Sequence, residues 1–339
     1  MASPYKRSAR RHRLAGLVVL AVVLLMTMVA SIAIGVKQIP LDQSFAGLFA
    51  PDGSENALIV RELRLPRTLL GVGVGAALGL AGALMQALTR NPLAEPGLLG
   101  VNAGAAMAVV TVIGVFRVDQ VLVYVWAAFA GAAATASLVY LIGSRGRAGA
   151  TPARLVLAGA AINAVFSALT AGVMLLSPRA FNSFRFWQVG SLSGRDLSVF
   201  LQIGPFLLAG ILLAMCLARP LNALALGEDA GRALGVRPGR TRALGGLAVM
   251  MLCGAATAAV GPIAFVGLAV PFAVRTLIGP DQRWVLPYSL LLAPVLLLGA
   301  DIVGRVLGAP GELETGIVTA FLGAPVFLLL VRRARIPQL

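Results

Sequence analysis

The stretch RLPRTLLGVGVGAALGLAGALMQALTRNPLAEPGLLGVNAG, residues 64–104, decides what this chain is built from. No charged residue occurs between Arg67 and Arg90. A helix over that interval rises about 33 Å at ~1.5 Å per residue, enough to cross a hydrocarbon layer of about 30 Å. The reading is therefore a membrane span over 67–88. Gly71, Gly73, Gly75, Gly79 and Gly82 leave room for other helices to approach it closely. Asn91-Pro92 and Pro96-Gly97 then end it, because proline donates no backbone hydrogen bond and glycine favours turns.

Working outward, the same alternation of apolar runs and Gly, Pro or charged breaks predicts further spans. They fall at 14–36, 98–116, 121–142, 154–176, 199–218, 243–261, 263–280, 284–303 and 315–331, which makes ten in all. A break at Gly261-Pro262 is required, since 243–280 as one helix would be far too long for a bilayer. Composition agrees: of 339 residues, 59% are hydrophobic and only 12% charged, and mean hydropathy is +0.91. The expected fold is an all-α polytopic membrane protein of about ten helices. It has one transmembrane domain over 14–335, between a basic tail (1–13) and a short C-terminal tail (336–339). The apolar run after the basic tail is about 20 residues long, beyond the 7–15 of a signal-peptide core, so it reads as a retained span.

A formal net charge of +15 would suggest nucleic acid as the partner of a soluble protein. Here hydropathy excludes a soluble body, and no nucleic-acid partner is expected. The charge instead sets orientation. With both termini cytoplasmic, 19 of the 28 basic residues and 4 of the 13 acids fall on the inner side, so the whole surplus lies there. It faces anionic membrane lipid. The expected location is the bacterial cytoplasmic (inner) membrane.

The segment Asn91-Pro92-Leu93-Ala94-Glu95-Pro96-Gly97-Leu98 is echoed by Gly261-Pro262-Ile263-Ala264-Phe265-Val266-Gly267-Leu268. Both read x-P-aliphatic-A-x-x-G-L and both close a glycine-rich span. In the assigned topology they lie on opposite faces, as expected of an inverted internal repeat in a transporter.

Absences narrow the chemistry. His12, in the basic tail, is the only histidine, and Cys216 and Cys253 lie 37 residues apart inside apolar runs. Neither a metal site nor a disulfide framework is expected. The only lysines, Lys6 and Lys37, stand outside any GxxxxGK[ST] loop, so an ATP-driven process would need hydrolysis on another chain. No nucleophile–base set or carboxylate pair points to an enzyme.

The run 64–104 resembles the FecCD-type permeases, the membrane subunits of type II ABC importers for iron-siderophores, haem and cobalamin. LNALALGEDAGRALGV (221–236), GPIAFVGLAVPFAVR (261–275) and GADIVGRVLGAPGELETGIVTAFLGAPVFLLLVRR (299–333) resemble the same family in the same order. The resemblance implies a ten-helix subunit pairing with a second permease, as a homo- or heterodimer, around one translocation path. It also implies two ATPase subunits carrying ATP and magnesium, a substrate-binding protein, and no cofactor on this chain.

Three groups of residues follow. The loop 219–242 is the expected ATPase-coupling element. Within it Gly227 and Gly235 bracket a short stretch in which Glu228 and Asp229 suit the first turn of a helix, Glu228 and Arg232 form an i,i+4 pair, and Ala230 and Leu234 give a narrow apolar face. Arg64, Arg67 and Arg305 are implied by the resemblance as docking positions for the binding protein. The local alternative pairs Arg305 with Asp301 and Arg64 with Glu62. Asn91, Pro92, Thr151, Pro152, Asn163 and Thr170 are expected along the path or its gate, although the family commonly has small hydroxylated residues where Pro152 and Ala153 stand. Ferric-siderophore cargo ranks first, with cobalamin or haem as the alternative. A secondary transporter would need an intramembrane carboxylate, for which only Glu95 and Asp301 are available.

Overall fold

A computed structural model describes residues 4–49, 53–118, 120–144 and 152–333. The first helix, α1 (Pro4–Ala33), continues the basic tail directly into the first span. After it come α2 (Leu41–Phe49) and α3 (Glu55–Leu58), whose N-terminus is capped by Ser54 Oγ accepting the Ala57 N–H at 3.3 Å. A π-turn, Ile59–Arg64, joins α3 to α4 (Leu65–Thr89). Pro66 has no N–H to offer, and just before it the ladder widens, with Leu65 N–H reaching back to Val60 O.

The chain then runs through a 3-10 turn at Pro96–Leu99, α5 (Val101–Gly114), α6 (Val121–Ser144) and α7 (Pro152–Leu176). A short α8 (Pro178–Val189) follows, then α9 (Leu197–Cys216), α10 (Ala218–Ala225) and α11 (Glu228–Ala233). The last elements are α12 (Pro238–Val260), α13 (Val266–Ile278), α14 (Gln282–Leu307) and α15 (Thr315–Arg333). Among the described residues, seven helices are long and apolar enough to cross a membrane, and three shorter apolar ones match the remaining expected spans.

At the centre stands α4, with 83% of its most apolar stretch buried. Its glycines form a seam against α14: Gly71 meets Leu298, Gly75 meets Pro294, and Gly79 meets Ala293 and Ser289. The paired numbers move oppositely, so the two helices are antiparallel. A Cβ on Gly75 would lie 2.6 Å from Pro294 Cα, which is why this face must lack side chains. Leu70, Leu80, Leu84, Leu252, Leu286 and Leu297 fill the core around the seam. The last turns of α4 meet the first turns of α12 (Leu88 against Gly245), so these equivalent helices of the two halves also run oppositely.

The two repeated segments are not at opposite faces, as the sequence led us to expect, but touch inside the bundle. A Cβ on Gly82 would fall 1.7 Å from Gly267 O, and Gln86 Nε2 donates to Leu268 O at 3.1 Å. The Glu95 carboxylate accepts the Phe265 backbone N–H. The physical reason lies in helix length: α5 and α13 have 14 and 13 residues and rise only about 20 Å at ~1.5 Å each, short of the roughly 30 Å needed. The loops ahead of them dip inward, where irregular backbone is tolerated because protein groups satisfy it.

Candidate functional site

One membrane face carries α10 and α11. Gly227 (φ 113°) and Gly235 (φ 80°) occupy backbone conformations that a side chain disfavours, and they turn the chain sharply at either end of α11. Glu228 and Asp229 lie in its first turn, near the N-terminal partial positive charge. The expected pair forms, with Arg232 Nη2 at 3.2 Å from Glu228 Oε2, and Arg232 Nη1 also reaches Asp229 Oδ1 at 3.0 Å. Ala230 is exposed, Leu234 is 63% exposed, and Leu226 adds a second uncovered leucine before the helix.

Three connections, none of them anticipated, join this unit to the bundle. Arg242, in the first turns of α12, pairs with Glu228. The hydrogen bond from that guanidinium, then its charge, holds the Glu228 carboxyl below the usual carboxylate range. Arg90, which closes α4 in a left-handed conformation, donates to Leu224 O. Asn222 donates to Asp281 Oδ1 at 2.6 Å and accepts the Gln282 N–H at 2.8 Å, tying α10 to the start of α14. Displacement of α11 therefore reaches α4, α12 and α14 through polar contacts rather than a slack linker.

The opposite face carries Arg64, Arg67 and Arg305, which the structure brings together around a depression of about 440 Å³. They are buried at its floor: none is more than 7% exposed. Arg64 Nη1 donates to Ile32 O and Ala33 O, each at 2.7 Å, and Nη2 donates to Lys37 O. Arg305 Nη1 donates to Ser31 O at 2.9 Å and Ile34 O at 2.7 Å. Two arginines thus satisfy the open carbonyls at the C-terminus of α1, where the helix dipole favours cations. Arg67 holds Asp301 through Nε and Nη2 (3.0 and 2.9 Å) and Glu312 through Nη1 (2.7 Å). Asp301 also meets Arg305 Nη2 at 3.2 Å and accepts the Thr315 hydroxyl at 2.7 Å. The Asp301–Arg305 pair matches the local alternative, whereas Arg64 turns to helix carbonyls rather than to Glu62. With the rest of the lining counted, Lys37 and four arginines (Arg64, Arg67, Arg195, Arg305) stand against four carboxylates (Glu62, Asp196, Asp301, Glu312), so the depression is cationic by a single charge.

Between the faces, α7 is the least covered internal span, with 17% of its apolar stretch buried. Ala158, Ile162 and Thr170 form its inward seam. Asn163 lies beside the seam on the open surface, while the Thr170 hydroxyl packs on Met107 Sδ at 3.6 Å, so the two are not brought together. Asn91 caps its own turn, its Oδ1 accepting the Leu93 N–H at 2.9 Å, and Pro92 follows it at the end of α4. Pro152 is the first residue of α7, and Thr151 lies outside the described residues. The short helix α8 lies between the expected spans 154–176 and 199–218, where the sequence reading assigns no element. Its signal is Ser177-Pro178, in which Ser177 Oγ accepts the Ala180 N–H at 3.2 Å and proline starts the first turn. α8 packs on α5, α7 and α15, beside the open face of α7.

A polytopic α-helical bundle of two inverted halves, with a short helix bolted beneath it, has the architecture of a membrane transport subunit. The chain belongs to the FecCD transport family, whose model matches residues 23–333. It is 49% identical to the ferric enterobactin transport system permease protein FepD of Escherichia coli (strain K12), over 93% of this chain and 94% of that one. Identity to the Fe(3+)-citrate import system permease protein YfmD of Bacillus subtilis (strain 168) is 40%, over 98% and 99%. The hemin transport system permease protein HmuU of Yersinia pestis is also 40% identical, over 80% and 83%. A solved structure described as an inward-facing conformation of a metal-chelate type ABC transporter superposes with a TM-score of 0.82 at 29% identity, covering 94% of this chain and 99% of that one.

Proposed function

We propose that this chain is the membrane-spanning permease subunit of an ATP-driven importer of ferric siderophores. The observation that carries the reading is near-full-length similarity to a ferric enterobactin permease. The physical reading is consistent with it. The uncovered Leu226, Ala230 and Leu234 suit a groove on a soluble ATPase, so the face with α10 and α11 is cytoplasmic and both termini lie on that side. ATP and magnesium belong to two such ATPase subunits. The unpartnered surface of α7 suits a second permease, identical or related, with the path running between the two copies.

On the outer face, the depression floored by Arg64, Arg67 and Arg305 offers a net cationic cup to carboxylates of a substrate-binding protein. Buried as they are, these arginines act from below rather than by reaching out. The cup contributes orientation and encounter rate more than affinity. A haem cargo is the second reading, favoured by the hemin relative. Ion-coupled transport finds little support. Asp301 is held by two arginines and a threonine, and Glu95 is bound to the Phe265 backbone, so neither stands open as a carrier of ions.

Deleting the chain and measuring accumulation of iron-55-labelled ferric catecholate, hydroxamate and citrate complexes, labelled haem and labelled cobalamin tests the cargo. The expected result is loss of one ferric-siderophore uptake, restored by the chain. Loss confined to cobalamin would overturn the reading.

A further inference from the structure

We infer that the chain carries a site for an anionic phospholipid of the cytoplasmic leaflet, with one acyl chain seated between α4, α6, α7 and α12 and the phosphate at Arg242. This assignment uses the orientation given under Proposed function but not the cargo or the partners. A cavity of about 320 Å³ opens where α4 and α6 end and α7 and α12 begin. Met85, Leu88, Leu141, Leu155, Leu247 and Met250 supply its walls. It is large enough for about ten waters at ~30 Å³ each, but each water needs 2–4 polar partners. The polar lining is confined to Thr89, Ser137, Tyr140 and Arg242, and the Thr89 hydroxyl is already bonded to Met85 O at 2.6 Å. An apolar chain suits such walls; a water cluster does not.

The surroundings identify the source of that chain. Leu138, Leu141, Ile142 and Leu247, on the rims contributed by α6 and α12, are between 41% and 59% exposed, so the groove opens through an apolar surface of the kind that lipid covers. Along the floor of α12, Gly246 leaves open space where a side chain would stand. Arg242, its side chain 22% exposed, stands in the first turns of α12, at the end of the groove that the proposed orientation turns toward the cytoplasmic headgroups, where anionic lipid concentrates. Glu228 is the carboxylate paired with it. A phosphate arriving there shares the guanidinium that anchors α11, so lipid occupancy bears directly on the root of the coupling loop.

The test uses the full-length permease purified in detergent and native mass spectrometry with dioleoyl phosphatidylglycerol or dioleoyl phosphatidylcholine. Phosphatidylglycerol should be retained about tenfold more tightly, because both lipids carry the phosphate but in phosphatidylcholine the choline ammonium neutralises it and repels Arg242, a difference on the scale of one basic side chain facing anionic lipid. Arg242→Gln should abolish that preference, while Arg242→Lys and Glu228→Gln should keep it. Gly246→Phe should displace both lipids by filling the groove, and Ser137→Trp should do so from the opposite wall. Dihexanoyl phosphatidylglycerol, too short to fill the groove, should bind weakly. Equal retention of the two dioleoyl lipids, an unchanged preference in Arg242→Gln, or dihexanoyl binding as tight as dioleoyl would each overturn the site. The Arg242 variants and the chain-length series decide the matter even where a filling variant fails to fold, and none of these results bears on cargo.

Discussion

Asp301 has no solvent exposure and sits between Arg67 and Arg305, each bonded to it at about 3 Å. Removing its charge leaves two buried guanidinium groups short of a partner. Breaking a buried ion cluster from one side costs about 3–5 kcal/mol, so Asp301→Asn should sharply lower the melting temperature of the purified permease; an unchanged melt would show that the cluster is not structural. Leu234→Arg should behave in the opposite way, because that side chain is exposed. Melting should be unaffected while co-purification with the ATPase is lost, and retained co-purification would remove Leu234 from the coupling surface. Glu228 sets a pH window. Its folded pKa is depressed, so the Arg242 contact contributes fully above the unfolded value of about 4.3 and disappears as pH falls through the lower folded value. Binding of the ATPase should therefore stay flat from about pH 8 to 5, and a decline already at about pH 6 would point to a different titrating group. The pairs within one turn, Glu228 with Arg232 and Asp301 with Arg305, could be read in the sequence. Arg67, 234 residues from Asp301, could not, because helix periodicity carries no information on which distant helix lies alongside.

At the scale of elements, the crossing of Gly82 over Gly267 is the tightest contact between the two repeats. Even one methyl group at Gly82 forces the Gly267 carbonyl away, and overpacking costs about 1–3 kcal/mol or more where backbone must move. Gly82→Ala should destabilise the protein strongly, whereas Gly204→Ala, which meets nothing within 4 Å, should be neutral or slightly stabilising. Melting curves of the two variants side by side check this, and equal melts would mean that the helices do not cross there. Span positions were legible from apolar runs and Gly/Pro breaks, and the repeat was visible as paired x-P-aliphatic-A-x-x-G-L segments. Their depth was not, because a proline tells where a helix stops without telling how far into the membrane the chain has travelled. α8 stayed hidden because its composition is mixed and its only start signal is a two-residue cap.

For the whole molecule, the +15 surplus and the exposed faces belong to one arrangement. Basic residues gather on the side of α11, the cationic cup lies on the other, and α7 presents an uncovered flank between them. The two candidate ion-binding carboxylates, Glu95 and Asp301, are committed to structural contacts. On the proposed reading, transport is driven through α11 by an ATPase on another chain. The direct measurement is uptake of the iron-55-labelled ferric siderophore by spheroplasts supplied with the binding protein, with ATP maintained and a protonophore added. Removing the envelope outside the cytoplasmic membrane confines the assay to this step. Uptake should continue with protonophore and stop when ATP is depleted. Uptake that collapses with protonophore while ATP remains high would contradict the account.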